Sequence, residues 1–152
     1  MISQTAEYAL RAVVYLAQSE SGPVTAQQVA EHTKVPSGYL SKVLQALARG
    51  GIVDSQRGLH GGFRLAHDPQ KLTMLEVVNS VDAIQRIESC PLGLSSHVNL
   101  CPLHKRLDEA LAHIEVAFGN TSIKELMTPT TGSTPLCEFP KAVDVTTSAK
   151  GS

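Results

Sequence analysis

The sequence feature that most constrains the fold is the stretch over residues 24–65, where two helical patterns are followed directly by two strand patterns. Thr25 and Gln28 have the spacing of a capping box, which marks the start of the first helix. Ser37 is the expected cap of the second helix. Apolar residues recur at helical spacing in that helix and predict one buried face: Leu40, Val43, Leu44 and Leu47. Because a glycine-rich turn then joins two short strands, the order predicts a helix-turn-helix followed by a two-stranded wing.

The polar residues of this stretch are of the kinds that contact nucleic acids. The other face of the second helix carries side chains that can reach base edges and phosphates: Tyr39, Ser41, Lys42, Gln45 and Arg49. Arg57 suits a narrow minor groove, and the backbone near Gly61 and Gly62 can approach a phosphate closely. The chain has a net charge of −1, but residues 1–66 carry +2 and residues 67–152 carry −3. We therefore expect the N-terminal part to bind double-stranded DNA.

The long helical pattern from residue 102 to about residue 119 predicts an interface between two helices. Its apolar residues repeat at intervals of four and three, which is a heptad-like seam: Leu103, Leu107, Ala110, Ile114 and Ala117. Packing of this helix on its own domain is the alternative. The chain is thus predicted to be mainly α, with four parts: a winged helix-turn-helix DNA-binding domain at 1–82, a cysteine-bearing sensor loop at 83–101, a dimerisation helix and terminal turn at 102–127, and a disordered tail at 128–152.

Two classes of protein are disfavoured by what the sequence lacks. It has no run of about 18 apolar residues that could span a membrane, and its first residues do not resemble a signal peptide. No nucleophile–base pattern or phosphate-binding motif is visible, and the glycines at 58–62 lie in a hairpin rather than between a strand and a helix. We expect a cytoplasmic protein that has no membrane partner and is not an enzyme.

The three cysteines, Cys90, Cys101 and Cys137, do not suggest a disulfide scaffold because their number is odd. Two thiols and two imidazoles are an adequate ligand set for one metal ion or a two-iron cluster: Cys90, His97, Cys101 and His104. Cys101 and His104 are three residues apart at a helix start, so they share one face. The alternatives are thiols that oxidise without a metal, and residues that have no ligand role.

Four features in succession resemble a known family: SQTAEYALRAVVYLA, PSGYLSKVLQALARGGIV, RGLHGGFRLA, and a cysteine-bearing loop ahead of LCPLHKRLDEAL. They are similar to the IscR/NsrR/CymR family of bacterial winged-helix transcriptional regulators, also called the Rrf-two family, over about residues 1–127. The resemblance implies a homodimer in which the two long helices cross and two winged helices read a pseudo-palindromic operator.

The resemblance also implies roles for particular residues. It places Ser37, Tyr39, Ser41 and Lys42 at the major groove, and Arg57, His60, Gly61 and Gly62 at the minor groove and the DNA backbone. Many members of the family bind an iron–sulfur cluster through three cysteines of the loop. This chain departs from that pattern, because no cysteine lies between Cys90 and Cys101. His104 follows Cys101 as a ligand histidine does in one cluster-binding member.

Together these features predict a dimeric transcriptional repressor that responds to an iron–sulfur cluster or to redox state through Cys90 and Cys101. A metal-free thiol switch is one alternative. A regulator without a cofactor that senses a protein partner or a small ligand is another. A winged-helix module that mainly binds protein is a further one.

Overall fold

The structure of the protein is a computed structural model, and it describes residues 2–93 and 99–129 of the 152-residue chain. Its elements follow the chain in this order: α1 (Gln4–Gln18), α2 (Ala26–Thr33), α3 (Ser37–Arg49), β1 (Val53–Gln56), β2 (Gly62–Leu65), α4 (Met74–Val81), α5 (Pro102–Gly119) and α6 (Ile123–Met127). The two strands form an antiparallel hairpin directly after α3. The prediction of a mainly α fold that contains a winged helix-turn-helix is confirmed.

Helix α1 lies at the centre of the core, because α2, α3, α4, α6 and β2 all pack against it. Its inward side chains are small and fully buried, which lets the other elements approach closely: Ala9, Ala12 and Val13. The Ser3 hydroxyl caps the helix by accepting a hydrogen bond from the Ala6 backbone N–H at 3.2 Å. The surrounding core is aliphatic, as the aromatic content of 4% requires.

The helix-turn-helix forms largely as its local sequence predicts. The capping box of Thr25 and Gln28 is present at the start of α2. Lys34 ends this helix in the left-handed conformation, with φ of 58°. The expected cap at Ser37 is wrong by one position, because Ser37 is already the first residue of α3 and Pro36 precedes it as the cap. The fixed φ of proline suits the start of a helix, and the Pro36 carbonyl accepts the first helical hydrogen bonds.

The wing is anchored to the segment that precedes α2. Val24 and Phe63 exchange two backbone hydrogen bonds, of 2.8 and 2.7 Å, in an isolated antiparallel bridge. Gly62, with φ of +155°, makes this approach possible, because a Cβ atom there would lie 2.6 Å from the Val24 carbonyl oxygen. The base of the wing and the start of the helix-turn-helix are therefore one rigid unit.

Helix α5 differs from the other long helices in its burial. None of its eighteen residues, all within the described part of the chain, is buried. Directly after it the chain returns to the core, where Ile123 of α6 is fully buried and its N–H donates to the Leu72 carbonyl at 2.8 Å. The C-terminal end of α5 is thus fixed to the domain, while the body of the helix contacts mainly α4.

Candidate DNA-binding face and sensor region

Helix α3 presents a polar surface to solvent. Its apolar residues at helical spacing are all buried, as predicted: Leu40, Val43, Leu44 and Leu47. The four residues predicted to read the major groove are all exposed: Ser37, Tyr39, Ser41 and Lys42. The Ser41 hydroxyl donates to the Ser37 carbonyl at 3.1 Å, so its oxygen lone pairs remain the groups that can meet a base donor. The spacing that buries one face of α3 therefore also brings these four side chains to one surface.

Tyr39 is held in place by α1, which the sequence alone did not indicate. Its hydroxyl hydrogen-bonds the Thr5 hydroxyl at 2.6 Å, and its ring meets the Tyr8 ring edge-on at a centroid distance of 5.4 Å. Gln4 donates to the Tyr8 hydroxyl at 2.9 Å, and the Arg11 guanidinium lies 5.6 Å from the Tyr8 ring centroid. These contacts place the start of α1 beside the exposed face of α3.

The tip of the wing is a tight turn with three exposed side chains. The Gly61 N–H donates to the Gly58 carbonyl at 3.0 Å, and Gly58 has φ of +111°. Arg57 and His60, both predicted to contact DNA, are exposed there. Leu59 lies between them and is 96% exposed, although the sequence reasoning gave it no role. A wing tip of this form can enter a groove with a cation and an apolar side chain together.

The charge of the wing is concentrated towards its tip. Arg64, on β2, lies 3.5 Å from the carboxylate of Asp54 on the facing strand. Arg57 stands outside this ladder, beyond the last paired residues, Gln56 and Gly62. A phosphate or a narrow groove that approaches the tip of the wing therefore meets Arg57 before it meets the paired charges of Arg64 and Asp54 at the base of the wing.

The sensor region contains one pair of possible ligands. Cys101 caps α5, and its Sγ lies 3.2 Å from Nδ1 of His104, with both residues half-buried. Cys90 is also half-buried and is a free thiol. His97 and Cys137 lie outside the described residues. Over residues 2–93 and 99–129, no three His, Cys, Asp or Glu side chains lie close enough together to hold a metal ion.

A structural zinc ion or a two-iron cluster needs four protein ligands. The described residues bring two of the four predicted ligands together, Cys101 and His104, and do not place Cys90 with them. The chemistry of this pair suits iron or zinc, since thiolate and imidazole are ligands for both. The residues fit such a group only in part, because the pair supplies half of the set.

The segment before Cys90 is fastened to α5 by Arg86. Its guanidinium donates two hydrogen bonds of 2.7 Å to the Asp108 carboxylate and one of 3.0 Å to Glu115. The Ile87 backbone N–H donates to the same Asp108 carboxylate at 2.9 Å. The Arg86 hydrogen bonds, and then the Ile87 N–H, lower the pKa of Asp108 to about 2. We name these four residues the Arg86 clasp.

The apolar seam of α5 is largely exposed to solvent, although Ile114 lines a cavity against Ala6 and Val78. Leu103 is 64% exposed and Leu107 is 48% exposed. Two further seam residues, Ala110 and Ala117, are exposed, and Ile114 is half-buried. In contrast, the clasp carboxylates of Asp108 and Glu115 lie on the face that meets the 82–88 segment. The N-terminal part of the seam, at Leu103 and Leu107, is therefore open in the protomer.

A polar helix α3 at the surface, a two-stranded wing and an exposed long helix together form a winged helix-turn-helix, a fold that many DNA-binding regulators use. The family model of Rrf2, described as an iron-dependent transcriptional regulator, matches residues 2–129. The chain therefore belongs to the Rrf2 family. This confirms the resemblance noted in the sequence, and it confirms that the chain belongs with regulators rather than with enzymes. Within the described residues, no helix has the length and apolar character needed to cross a membrane.

Several known proteins are similar to this chain. A protein of Aquifex aeolicus, named only as a candidate HTH-type transcriptional regulator, is 33% identical over 84% of this chain and 91% of its own length. The regulator NsrR of Bacillus subtilis is 31% identical over 80% of this chain and 86% of its own. The structure of CymR, the global cysteine regulator of B. subtilis, has a TM-score of 0.69 at 20% identity, covering 83% of this chain and 95% of its own. At that identity it supports the fold alone.

Proposed function

We propose that the protein is a homodimeric repressor that binds a pseudo-palindromic operator. Its affinity or preference for the operator changes when the cluster or redox state of the sensor region at Cys90 and Cys101 changes. The observation that carries the proposal is the placement of Cys101 and His104, 3.2 Å apart, at the start of α5. That helix is the one with an open apolar seam. A change at its first turn therefore acts on the element best suited to pair two copies.

The DNA-binding part of the proposal rests on two exposed surfaces. The polar face of α3 has the side chains for the major groove, with Tyr39 fixed by Thr5. Arg57 and His60 are exposed at the wing tip, which supports a minor-groove role for them. Gly61 and Gly62, whose proposed role is at the DNA backbone, let the chain fold tightly enough to present that tip. A single protomer offers one such reading unit. Two units, paired across α5, would read two half-sites.

For the sensor we favour an iron–sulfur cluster of the two-iron type. Cys101 and His104 would hold one side of it, and Cys90 and His97 are the residues of this chain that could complete the set. When bound, such a cluster supplies a redox-active group that oxidants can destroy. The family description, an iron-dependent regulator, supports this choice. A metal-free switch remains the second candidate, because Cys90 and Cys101 are both free thiols.

The test is purification without oxygen, followed by an absorbance spectrum, iron and sulfide assays, and a gel shift with the DNA upstream of the protein's own gene. We expect bound iron, and DNA affinity that differs between the loaded and oxidised forms. Cys101→Ala should lose the iron and the difference, whereas the matched control Cys137→Ala should keep both.

Three outcomes would redirect the proposal. If the protein shows no specific, salt-sensitive DNA binding in any state, the regulator is refuted and a protein-interaction module is favoured. Colourless, iron-free protein whose DNA affinity still depends on thiol state would replace the cluster with the thiol switch. If DNA affinity depends neither on bound iron nor on thiol oxidation, the signal acts at a site other than Cys90 and Cys101.

A further inference from the structure

Leu59, at the tip of the wing, is the most exposed large hydrophobic residue in the described part of the chain. Its side chain is 96% exposed. It follows Gly58 in the turn that the Gly61 N–H closes by donating to the Gly58 carbonyl at 3.0 Å. The tips of exposed loops usually carry small or polar residues, because a leucine there gains nothing from burial. A leucine in this position is accounted for if a partner covers it when the wing is in use.

The turn around Leu59 is narrow because its neighbours lack side chains. Gly58, Gly61 and Gly62 contribute backbone only. A Cβ atom at Gly61 would collide with the Gln56 carbonyl oxygen, so the two sides of the turn already touch. The minor groove of B-DNA is only about 6 Å wide. A tip made of backbone and a few side chains can enter that groove, whereas a tip with a side chain at every position would be too broad.

The tip is also held firmly to the domain. Gln56 pairs with Gly62 at the end of the β1–β2 ladder, close to the turn. At the base of the wing, Val24 and Phe63 exchange two backbone hydrogen bonds. Leu59 therefore meets a partner without the ordering cost that a flexible loop would add to binding.

The charges around Leu59 favour DNA over a protein as that partner. Arg57 and His60 are exposed on either side of it, and residues 55–63 contain no acidic residue. Among the ion pairs of the described residues, none includes Arg57. A free cation beside an exposed leucine matches a groove that has phosphates along its walls and sugars and base edges inside it.

We propose that Leu59 enters the minor groove of the operator and selects against G·C base pairs there. In that groove A·T pairs present only acceptors, whereas a G·C pair adds the guanine N2 amino group as a donor. A leucine packed over this amino group removes it from water and offers it no hydrogen bond, which weakens binding. The inference rests on the proposed function, in which the wing contacts the minor groove, and it names the residue that sets base preference at the wing.

The experiment is a quantitative gel shift with the full-length protein and the operator upstream of its own gene, in the cluster or redox state that binds most tightly. Each base pair of one half-site is replaced in turn by G·C or by inosine·C. Inosine lacks the N2 amino group and keeps the major-groove edge of guanine. The ratio of the two dissociation constants at each position therefore reports the minor-groove amino group.

We expect the wild type to bind G·C about tenfold more weakly than inosine·C at the pairs beneath the tip, as for one mismatched base pair. Leu59→Gln should reduce that ratio to about twofold, because the side-chain oxygen of glutamine can accept a hydrogen bond from the amino group. Leu59→Ala should weaken binding to the native operator about tenfold. Half-burial of a leucine corresponds to a factor of about three, and two half-sites multiply it.

Val116→Ala is the matched control, because Val116 is an exposed apolar residue of α5, outside the wing. It should leave both the affinity and the ratio unchanged. Thermal unfolding of each variant reports whether the fold is kept. We expect wild-type midpoints for both Leu59 variants, since this side chain is almost fully exposed.

Three results would overturn the inference. The first is a wild type that distinguishes G·C from inosine·C at no position. The second is a ratio that persists in Leu59→Gln, because the preference would then come from groove width, which Arg57 can read. The third is an unchanged affinity and ratio in both Leu59 variants, which would leave Leu59 to a protein partner.

The proposed function fails in a different way. If the wild type binds the operator with an affinity that is independent of cluster and thiol state, the sensor is refuted and the role of Leu59 is unaffected. If no specific operator binding occurs in any state, the regulator and the role of Leu59 are refuted together.

Discussion

Replacing Leu107 by alanine tests whether the seam of α5 joins two copies of the chain. Full burial of a leucine side chain contributes about 1.5–3 kcal/mol. Leu107 is 48% exposed in the protomer, so a partner that covers the remainder gains about 1 kcal/mol from it. Twofold symmetry counts this contact twice, which gives about 2 kcal/mol per dimer. The dimer dissociation constant should therefore rise about thirtyfold.

The dissociation constant is measured by sedimentation equilibrium over a dilution series. Circular dichroism in the same buffer reports whether the protomer stays folded. We expect the protomer to keep its helical content, because Leu107 is not part of the buried core.

Val116→Ala is the matched control for this substitution. Val116 is also apolar and is 62% exposed, but it lies nine residues from Leu107, which is half a turn around the helix. Its truncation should leave the dissociation constant within about twofold of the wild type, as for a residue outside the contact. If Leu107→Ala leaves the dimer unchanged, or if Val116→Ala weakens it as much, the seam has been assigned to the wrong face.

Two further substitutions test the DNA contact and the local fold. Arg57→Ala should weaken operator binding about tenfold in a gel shift and leave the dimer intact. Arg64→Ala, whose guanidinium already lies 3.5 Å from Asp54, should weaken it less, and equal losses would count against the wing-tip contact. Thr25→Ala removes the capping box of α2 and should lower the free energy of unfolding by about 1 kcal/mol in urea. No measurable loss would mean that tertiary packing alone fixes the start of α2.

The parts of the structure that the sequence predicted are those governed by near neighbours. The capping box at Thr25 and the buried stripe of α3 depend on residues three or four apart, so periodicity and residue type are sufficient. The one local error, Ser37 as a cap, came from weighing the preference of serine above the fixed φ of Pro36. Both residues favour a helix start, and only the backbone decides between them.

The contacts that the sequence did not predict join residues far apart in the chain. Arg86 meets Asp108 and Glu115 across 22 and 29 residues, and Tyr39 meets Thr5 across 34. Nothing local distinguishes Arg86 from a solvated surface arginine, because its partners become neighbours only when α5 folds back along the 82–88 segment. The i, i+7 spacing of the two acids on α5 is a weak signal that could have suggested a shared partner.

The proposed sensor residues Cys101 and His104 lie at the start of α5, apart from the proposed DNA-binding face on α3 and the wing. The seam of α5 carries Leu103 and Leu107, whereas His104 and Asp108 are one position further along and lie on the neighbouring face. A chemical change at Cys101 therefore acts on one face of a helix whose other face is free to pair. Helix α5 packs on α4 through half-buried rather than fully buried residues, so tilting it should expose less apolar surface than moving a core helix would. Among the described residues, the clasp is the polar contact that joins the body of α5 to the 82–88 segment, so its loss should ease such a tilt.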